Sequence, residues 1–151
     1  MKRWIASFLL IAYGAILIKL LVFKIDLIEI GPLRLKLPPE MGQANFLPFK
    51  TILEYLRGEH GWLIAVLNLV GNIALLVPIG FLVPFVSRRA TWQTSLALAV
   101  AVGLAIEGME VAFRVGIFDI DDVILNALGV MIGYWAFTIV VTRARLRLEP
   151  A

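Results

Sequence analysis

The side chains in this sequence that could do chemistry are carboxylates and carboxamides set within or beside long apolar stretches. Glu107 and Glu110 are three residues apart, and Asn68 and Asn72 are four residues apart. Either spacing places both members of a pair on one face of a helix. Together with an arginine and an acidic run that follow the glutamates, they give the candidate binding residues Asn68, Asn72, Glu107, Glu110, Arg114, Asp119, Asp121, Asp122 and Asn126.

Oxygen-rich side chains of this kind can hold a polar group through hydrogen bonds, coordinate a hard cation such as Mg²⁺ or Ca²⁺, or transfer protons. The sequence contains no cysteine and a single histidine, His60. Disulfides, thiolate nucleophiles and transition-metal sites built from Cys or His clusters are therefore excluded. The pattern predicts no cofactor, leaves a metal ion open, and does not assign catalytic residues.

Two structural interpretations compete with a functional site. Asp121 or Asp122 can cap the helix that follows them. Arg114 can pair with Glu110 one helical turn away. A charged side chain in the centre of a membrane helix costs on the order of 3 kcal/mol, however, so Glu107 and Glu110 need partners or a function. The concentration of these residues favours a functional site over interhelical hydrogen bonding alone.

The elements that must position these residues are transmembrane helices. Apolar residues make up 61% of the 151 residues, against roughly 45–50% in soluble domains, and the mean hydropathy is +0.93. Crossing a hydrocarbon layer of about 30 Å takes around 20 helical residues. Stretches of that length occur at roughly Trp4–Phe23, Trp62–Val86, Thr94–Phe113 and Val123–Thr142. The predicted fold is an all-α, polytopic membrane helix bundle of about four transmembrane helices.

The long connection between the first two helices, Lys24–Gly61, carries structure of its own. Ile28–Leu37 alternates apolar and polar residues around a Gly-Pro pair, which predicts a short hairpin. From Asn45 to Arg57 the apolar residues recur at helical spacing, which predicts an amphipathic helix lying in the membrane interface. We divide the chain into an N-terminal helix and loop at 1–44, a main domain at 45–142 and a basic tail at 143–151.

The distribution of lysine and arginine predicts the orientation. Short basic clusters lie at Lys2–Arg3, Arg88–Arg89 and Arg143–Arg147, all on one side of a four-helix topology. The positive-inside rule makes that side cytoplasmic. We predict a multi-pass protein of the cell membrane with both termini cytoplasmic and the polar residues in the outer half. A net charge of +3 does not indicate nucleic-acid binding.

From Asn45 onward the chain carries an ordered series of short motifs. They are Asn45–Phe49, Asn68–Asn72, Val77–Phe81, Ile106–Glu107, Arg114, Asp119–Asp122, Asn126, Gly129 and Gly133. The series resembles the VanZ-like family of small bacterial membrane proteins. Glu110 departs from the pattern, because the family usually has Gln at that place, and this puts in doubt any role that needs an amide there.

The resemblance implies a protein of the bacterial cell envelope associated with sensitivity to teicoplanin-type glycopeptide antibiotics, and it implies no settled biochemical activity. Our first hypothesis is that the outward polar cluster binds a lipid or envelope head group, with the bilayer and a lipid-linked envelope precursor as partners. The alternatives are a metal-assisted membrane enzyme acting on a lipid-linked substrate and a small-ion or proton transporter. Homo-oligomerisation through the GxxxG pattern of Gly129 and Gly133 is also open, although such patterns more often serve helix packing.

Overall fold

The computed structural model describes residues 3–19, 29–30, 33–34, 44–87, 89–114 and 116–146. Within these residues the chain forms five helices and one short hairpin. In chain order the elements are α1 (Arg3–Leu17), β1 (Glu29–Ile30), β2 (Leu33–Arg34), α2 (Lys50–Leu56), α3 (Trp62–Val86), α4 (Trp92–Ala112) and α5 (Ile120–Leu146). The helical bundle expected from the sequence is confirmed.

Among the described residues, three stretches are long and apolar enough to span a membrane: α3, α4 and Ile120–Ala144 of α5. α1 is apolar but has 15 residues, which at 1.5 Å per residue gives about 22 Å, less than a hydrocarbon layer of about 30 Å. The sequence predicted a first span of Trp4–Phe23, and the end of that range lies outside the described residues. The other three predicted spans correspond to these three helices.

The long connection contains the hairpin that the sequence predicted. β1 and β2 pair antiparallel, with Glu29 opposite Arg34 and Ile30 opposite Leu33. The residues between the strands and those at 35–43 lie outside the described part of the chain. The described pairing is the one that alternation around a Gly-Pro pair predicts.

The interfacial helix is shorter than the predicted Asn45–Arg57, because its first residues form a turn. Phe49 has a left-handed backbone with φ 67°, which a right-handed helix does not contain, so α2 begins at Lys50. We call Asn45–Leu56 the strap. Five of its large apolar side chains are 45–72% exposed, namely those of Phe46, Leu47, Phe49, Leu53 and Leu56. An apolar surface of this kind suits the membrane interface.

α5 is the central helix, which packs against both α3 and α4, while α1 packs on α3. Glycines permit the close approach of α3 and α5. A Cβ atom at Gly80 would lie 1.9 Å from the carbonyl oxygen of Val130, and one at Gly133 would lie 2.0 Å from that of Val77. Gly129 is packed against α3 in the same way. The GxxxG pattern of α5 therefore serves packing within the chain.

The directions of the helices bring the polar residues to one end of the bundle. The Arg3 guanidinium donates hydrogen bonds of 2.8 and 3.1 Å to the Val86 carbonyl oxygen, so the start of α1 lies beside the end of α3. α4 runs back toward the strap, and α5 runs in the same direction as α3. The start of α3, the end of α4, the start of α5 and the strap consequently lie together. We call this the strap end of the bundle.

Candidate functional site

All nine candidate residues lie at the strap end. In chain order they are Asn68 and Asn72 on α3, Glu107 and Glu110 on α4, Arg114 and Asp119 between α4 and α5, and Asp121, Asp122 and Asn126 on α5. The buried members of the set are Glu107, Glu110, Asp119, Asp121 and Asn126. Three helices and one connection thus contribute to a single polar region.

The strap is fastened to the start of α5 by its first residue, Asn45. The backbone N–H of Asn45 donates to the Phe118 carbonyl oxygen at 2.7 Å, and the Asn45 carbonyl oxygen accepts from the N–H of Ile120 at 3.0 Å. The Asn45 side-chain amide donates to Asp119 Oδ1 at 2.9 Å. Phe46 stacks on Phe118 with ring centroids 5.1 Å apart. Backbone, side chain and ring contacts all hold this part of the strap on the connection before α5.

Asp119 receives hydrogen bonds from the strap and from α5. Its Oδ1 accepts from the Asn45 amide and, at 2.8 Å, from the backbone N–H of Asp121. Its Oδ2 accepts from the Thr51 hydroxyl at 2.6 Å. A side-chain oxygen that accepts from the N–H two residues later is typical of an N-cap residue. The structure therefore gives the capping position of α5 to Asp119. One interpretation of the sequence had given it to Asp121 or Asp122, which lie inside the first turn of the helix.

Asp121 caps a different helix, α2. Its carboxylate accepts hydrogen bonds from the backbone N–H of Phe49 and, at 3.1 Å, from that of Ile52. N–H groups at the start of a helix have no partner within the helix, and the helix dipole favours a negative charge there. Asp121 is fully buried. A carboxylate of α5 thus holds the strap, including its left-handed residue, in place.

A second polar contact joins α3 to α5 inside the bundle. The Asn72 side-chain amide donates to Asp122 Oδ1 at 2.7 Å and to Asn68 Oδ1 at 3.4 Å. Hydrogen bonds between membrane helices are each worth on the order of 0.6–2 kcal/mol. Of the two asparagines that the sequence placed on one helix face, Asn72 contacts the first turn of α5 and Asn68 contacts Asn72.

α4 contributes the carboxylates of Glu107 and Glu110. Glu107 is 1% exposed, and its Oε2 accepts the backbone N–H of Asp119 at 2.8 Å. Glu110 packs against the connection to α5, where a Cβ atom at Gly116 would lie 2.2 Å from its Oε2. Gly116 therefore leaves the space that the Glu110 carboxylate occupies.

Asn126 is a buried amide whose hydrogen bonding is incomplete. It is 2% exposed, and its Oδ1 accepts no hydrogen bond from the described residues. It lies four residues after Asp122 and three before Gly129, so the three follow one face of α5. Both neighbours contact α3, through Asn72 and through Ile73 respectively. The unpartnered oxygen thus belongs to the face of α5 that meets α3.

Arg114 differs from the other candidates. It is exposed, and its backbone is left-handed with φ 56°. Its pairing with Glu110 stays a prediction. Arg114 lies at the rim of the polar region.

Two residues of this network were missed as site residues by the sequence reasoning. Asn45 is the first residue of the Asn45–Phe49 motif, but no role was predicted for it. That motif was the signal that could have identified Asn45 as a site residue. Thr51 carried no signal, because a threonine within an amphipathic segment is an ordinary surface residue. Only the folded chain places Thr51 beside Asp119, which is 68 positions away.

Among the described residues, no three Asp, Glu, His or Cys side chains are arranged to hold a metal ion. Both oxygens of Asp119 and both oxygens of Asp121 accept hydrogen bonds from N–H or O–H donors. A carboxylate that is already engaged in this way is a poor ligand for a cation. These two carboxylates are therefore engaged in holding the strap and the start of α5.

No curated protein and no solved structure matches this chain. The family model for VanZ/LLP1 proteins matches residues 9–141, a range that contains every residue of the polar network. The match begins within α1, ahead of Asn45, where we placed the start of the main domain. The motif series, the helical bundle and this match agree, and the chain belongs to the VanZ/LLP1 family.

Proposed function

We propose that this protein binds the polar head group of a lipid or a lipid-linked envelope precursor at the strap end, and that binding alters sensitivity to teicoplanin-type glycopeptide antibiotics. The observation that carries the proposal is the buried Asn126 oxygen, which lacks a donor among the described residues and lies four residues after Asp122 on α5. Residues that only held helices together would satisfy their own polar groups, because an unsatisfied buried group costs about 1–3 kcal/mol. A bound head group would supply the missing donor.

The polar residues fall into two groups with different roles in this proposal. Asp119 and Asp121 anchor the strap, since the donors they accept from belong to the strap and to the first turn of α5. Asn72, Asp122 and Asn126 meet at the junction of α3 and α5, and we assign ligand contact to them. The exposed guanidinium of Arg114 offers a positive charge to a phosphate group at the rim.

The head group would come from the leaflet at the strap end, which we place outside the cell. The exposed apolar side chains of the strap and the three long apolar helices support contact with lipid there. Because the chain has no cysteine, single cysteines at Glu59 and at Arg143 can be labelled in intact cells with a membrane-impermeant reagent. Labelling should occur at position 59, and at 143 only after permeabilisation. The reverse result would move the site to the inner leaflet.

Binding can be measured on the purified full chain in detergent, titrated with polyprenyl phosphate and with short-chain phospholipids, with and without Mg²⁺. The unmutated protein should bind at least one of them. Asp122→Asn should weaken that binding about tenfold, as expected for the loss of one charge-assisted hydrogen bond. Glu59→Gln, which changes an exposed carboxylate outside the network, should bind normally. Failure of the unmutated protein to bind any of these lipids would contradict the proposal.

A second candidate function is catalysis on a lipid-linked substrate. The observation that favours it is the hydrogen bond to the buried Glu107 carboxylate from the backbone N–H of Asp119, three residues before Asp122, since two neighbouring carboxylates can act as acid and base. Turnover of a radiolabelled lipid-linked substrate, lost in Asp122→Asn, would raise this function above binding alone. Binding without turnover would leave head-group recognition as the function.

A further inference from the structure

The strap lies against the strap end of the bundle but adds no apolar side chain to its core. Within the strap, which the structure describes throughout, Asn45 is the one buried residue, and it is polar. α3 and α5, in contrast, meet through buried apolar residues such as Leu76 and Val130. Segments with few buried apolar contacts are among the first to open in a folded protein.

Hydrogen bonds to two carboxylates at the start of α5 hold the strap in place. Asp119 accepts from the Asn45 amide and from the Thr51 hydroxyl. Asp121 accepts from two backbone N–H groups at the start of α2. Water can replace these donors and acceptors when the strap lifts, so opening exchanges hydrogen bonds and does not leave them unmade. The contacts that hold the strap are therefore of a kind that can be released and formed again.

The connection from α2 to α3 contains two glycines at which the backbone can turn. Gly58 and Gly61 have left-handed φ angles of 79° and 81°, which residues with a Cβ atom rarely adopt. No described atom lies within 4 Å of a Cβ atom placed at either position, so packing does not fix them. Hinges of moving segments lie at loop positions or at the ends of elements. The two glycines are therefore placed where the strap could turn while α3 stays in the bundle.

Behind the strap lie carboxylates that solvent does not reach. Asp121 is fully buried, and Asp119 is nearly so. Asp119 joins the strap to the interior, because its side chain accepts from Thr51 while its backbone N–H donates to the buried carboxylate of Glu107. The strap thus lies on the outer side of Asp119 and Glu107 on the inner side.

We infer that the strap is a lid, which turns at Gly58 and Gly61 and uncovers the first turn of α5 together with the Glu107 carboxylate. A head group enters while the lid is open. Loosening the strap therefore raises the open fraction and with it the apparent affinity. The inference rests on the proposed head-group function for the identity of what enters, and it adds the step that regulates entry.

The first test measures opening without a ligand, on the purified full chain in detergent. Because the chain has no cysteine, Glu107→Cys reports access through its reaction with a charged, water-soluble methanethiosulfonate. Adding Thr51→Val removes one hydrogen bond to Asp119 and should raise the reaction rate about tenfold. Thr138→Val is the matched control, because Thr138 also donates a hydrogen bond but lies far along α5. It should leave the rate unchanged, and an equal rate in Thr51→Val would overturn the lid.

Two other single cysteines show that the strap opens while the bundle stays folded. Glu59→Cys lies at an exposed position outside the strap and should react at the same high rate with or without Thr51→Val. Leu76→Cys lies at a fully buried position in the middle of α3 and should stay protected in both. Rapid reaction of Leu76→Cys in the presence of Thr51→Val would mean that the whole bundle opens, and would overturn the lid.

The second test holds the strap shut. The rings of Phe46 and Phe118 are stacked with centroids 5.1 Å apart, so dibromobimane, which joins neighbouring thiols, should link cysteines at these two positions. The linked protein should bind polyprenyl phosphate or short-chain phospholipid at least about tenfold more weakly than the same protein before linking. Phe46→Cys alone and Phe118→Cys alone, treated with the same reagent, should bind normally. Undiminished binding by the linked protein would overturn the lid.

The outcomes separate this inference from the function on which it rests. If the unmutated protein binds none of these lipids while Thr51→Val still speeds the reaction of Glu107→Cys, the lid stands and the head-group function is overturned. If the unmutated protein binds a lipid and neither the link nor Thr51→Val alters that binding, the head-group function stands and the lid is overturned.

Discussion

The side-chain amide of Asn72 donates a 2.7 Å hydrogen bond to the Asp122 carboxylate, which joins two membrane helices at residues 50 positions apart in the chain. The same amide reaches Asn68 one turn earlier. α3 and α5 are thus held together at the strap end by polar contacts and further along by close packing at Gly80, Gly129 and Gly133.

Asp122→Asn separates the charge of this carboxylate from its role as an acceptor. An asparagine oxygen can still accept from Asn72, so the free energy of unfolding should change by less than about 1 kcal/mol. Head-group binding should nevertheless fall, because the negative charge is gone. Thermal unfolding and lipid titration of the same preparation measure the two effects. A variant that binds as well as the unmutated protein would show that the charge is not used.

Asp121→Ala should release the strap. The change removes the acceptor for two N–H groups at the start of α2, which we expect to cost about 2 kcal/mol. Hydrogen exchange of residues 45–56 should rise while exchange in the middle of α3 stays unchanged. Glu59→Gln is the control and should leave the exchange of the strap as it is. Slow exchange of the strap in Asp121→Ala would mean that other contacts hold it.

Gly80→Ala should destabilise the junction of α3 and α5. Its new methyl group would meet the Val130 carbonyl at 1.9 Å, and the two helices would have to separate, which we expect to cost at least about 2 kcal/mol. Gly71→Ala is a matched control in the same helix, because nothing lies within 4 Å of a Cβ atom there. It should be neutral or stabilise by roughly 0.5–1 kcal/mol, since alanine favours a helix more than glycine does. Equal melting temperatures for the two variants would contradict the close packing.

Asn126→Leu should make the protein more stable while it impairs binding. Leucine has a similar size and removes an amide oxygen that has no donor in the structure, so a gain of about 1–2 kcal/mol is expected. A rise in melting temperature together with weaker head-group binding is what a residue kept for function produces. A fall in stability would show instead that Asn126 supports the fold.

Much of the fold could be predicted from the sequence, because its signals are local. Apolar length predicted the three long helices, alternation around Gly-Pro predicted the hairpin, and the glycine spacing of α5 predicted close packing. The predicted start of α2 was wrong by several residues. The left-handed turn at Phe49 is held by a hydrogen bond from its N–H to the carboxylate of Asp121, which is 72 positions away. No local pattern contains that contact.

The candidate site could be predicted as a set of residues but not as a network. The free-energy cost of placing a charged side chain in a membrane helix identified Glu107 as a candidate. The four-residue spacing of Asn68 and Asn72 predicted that they share one face of a helix. The partner of each side chain is a property of the folded chain, so the sequence did not separate Asp121, which anchors the strap, from Asp122, which faces α3.

The most direct test of the central claim is the teicoplanin susceptibility of a sensitive bacterium that expresses this protein, with membrane abundance measured in parallel. We expect expression to lower susceptibility, and we expect Asp122→Asn and Glu107→Gln to abolish the effect at unchanged abundance, while Glu59→Gln retains it. Unchanged susceptibility with well-expressed unmutated protein would contradict the account, and so would full activity of both carboxylate variants.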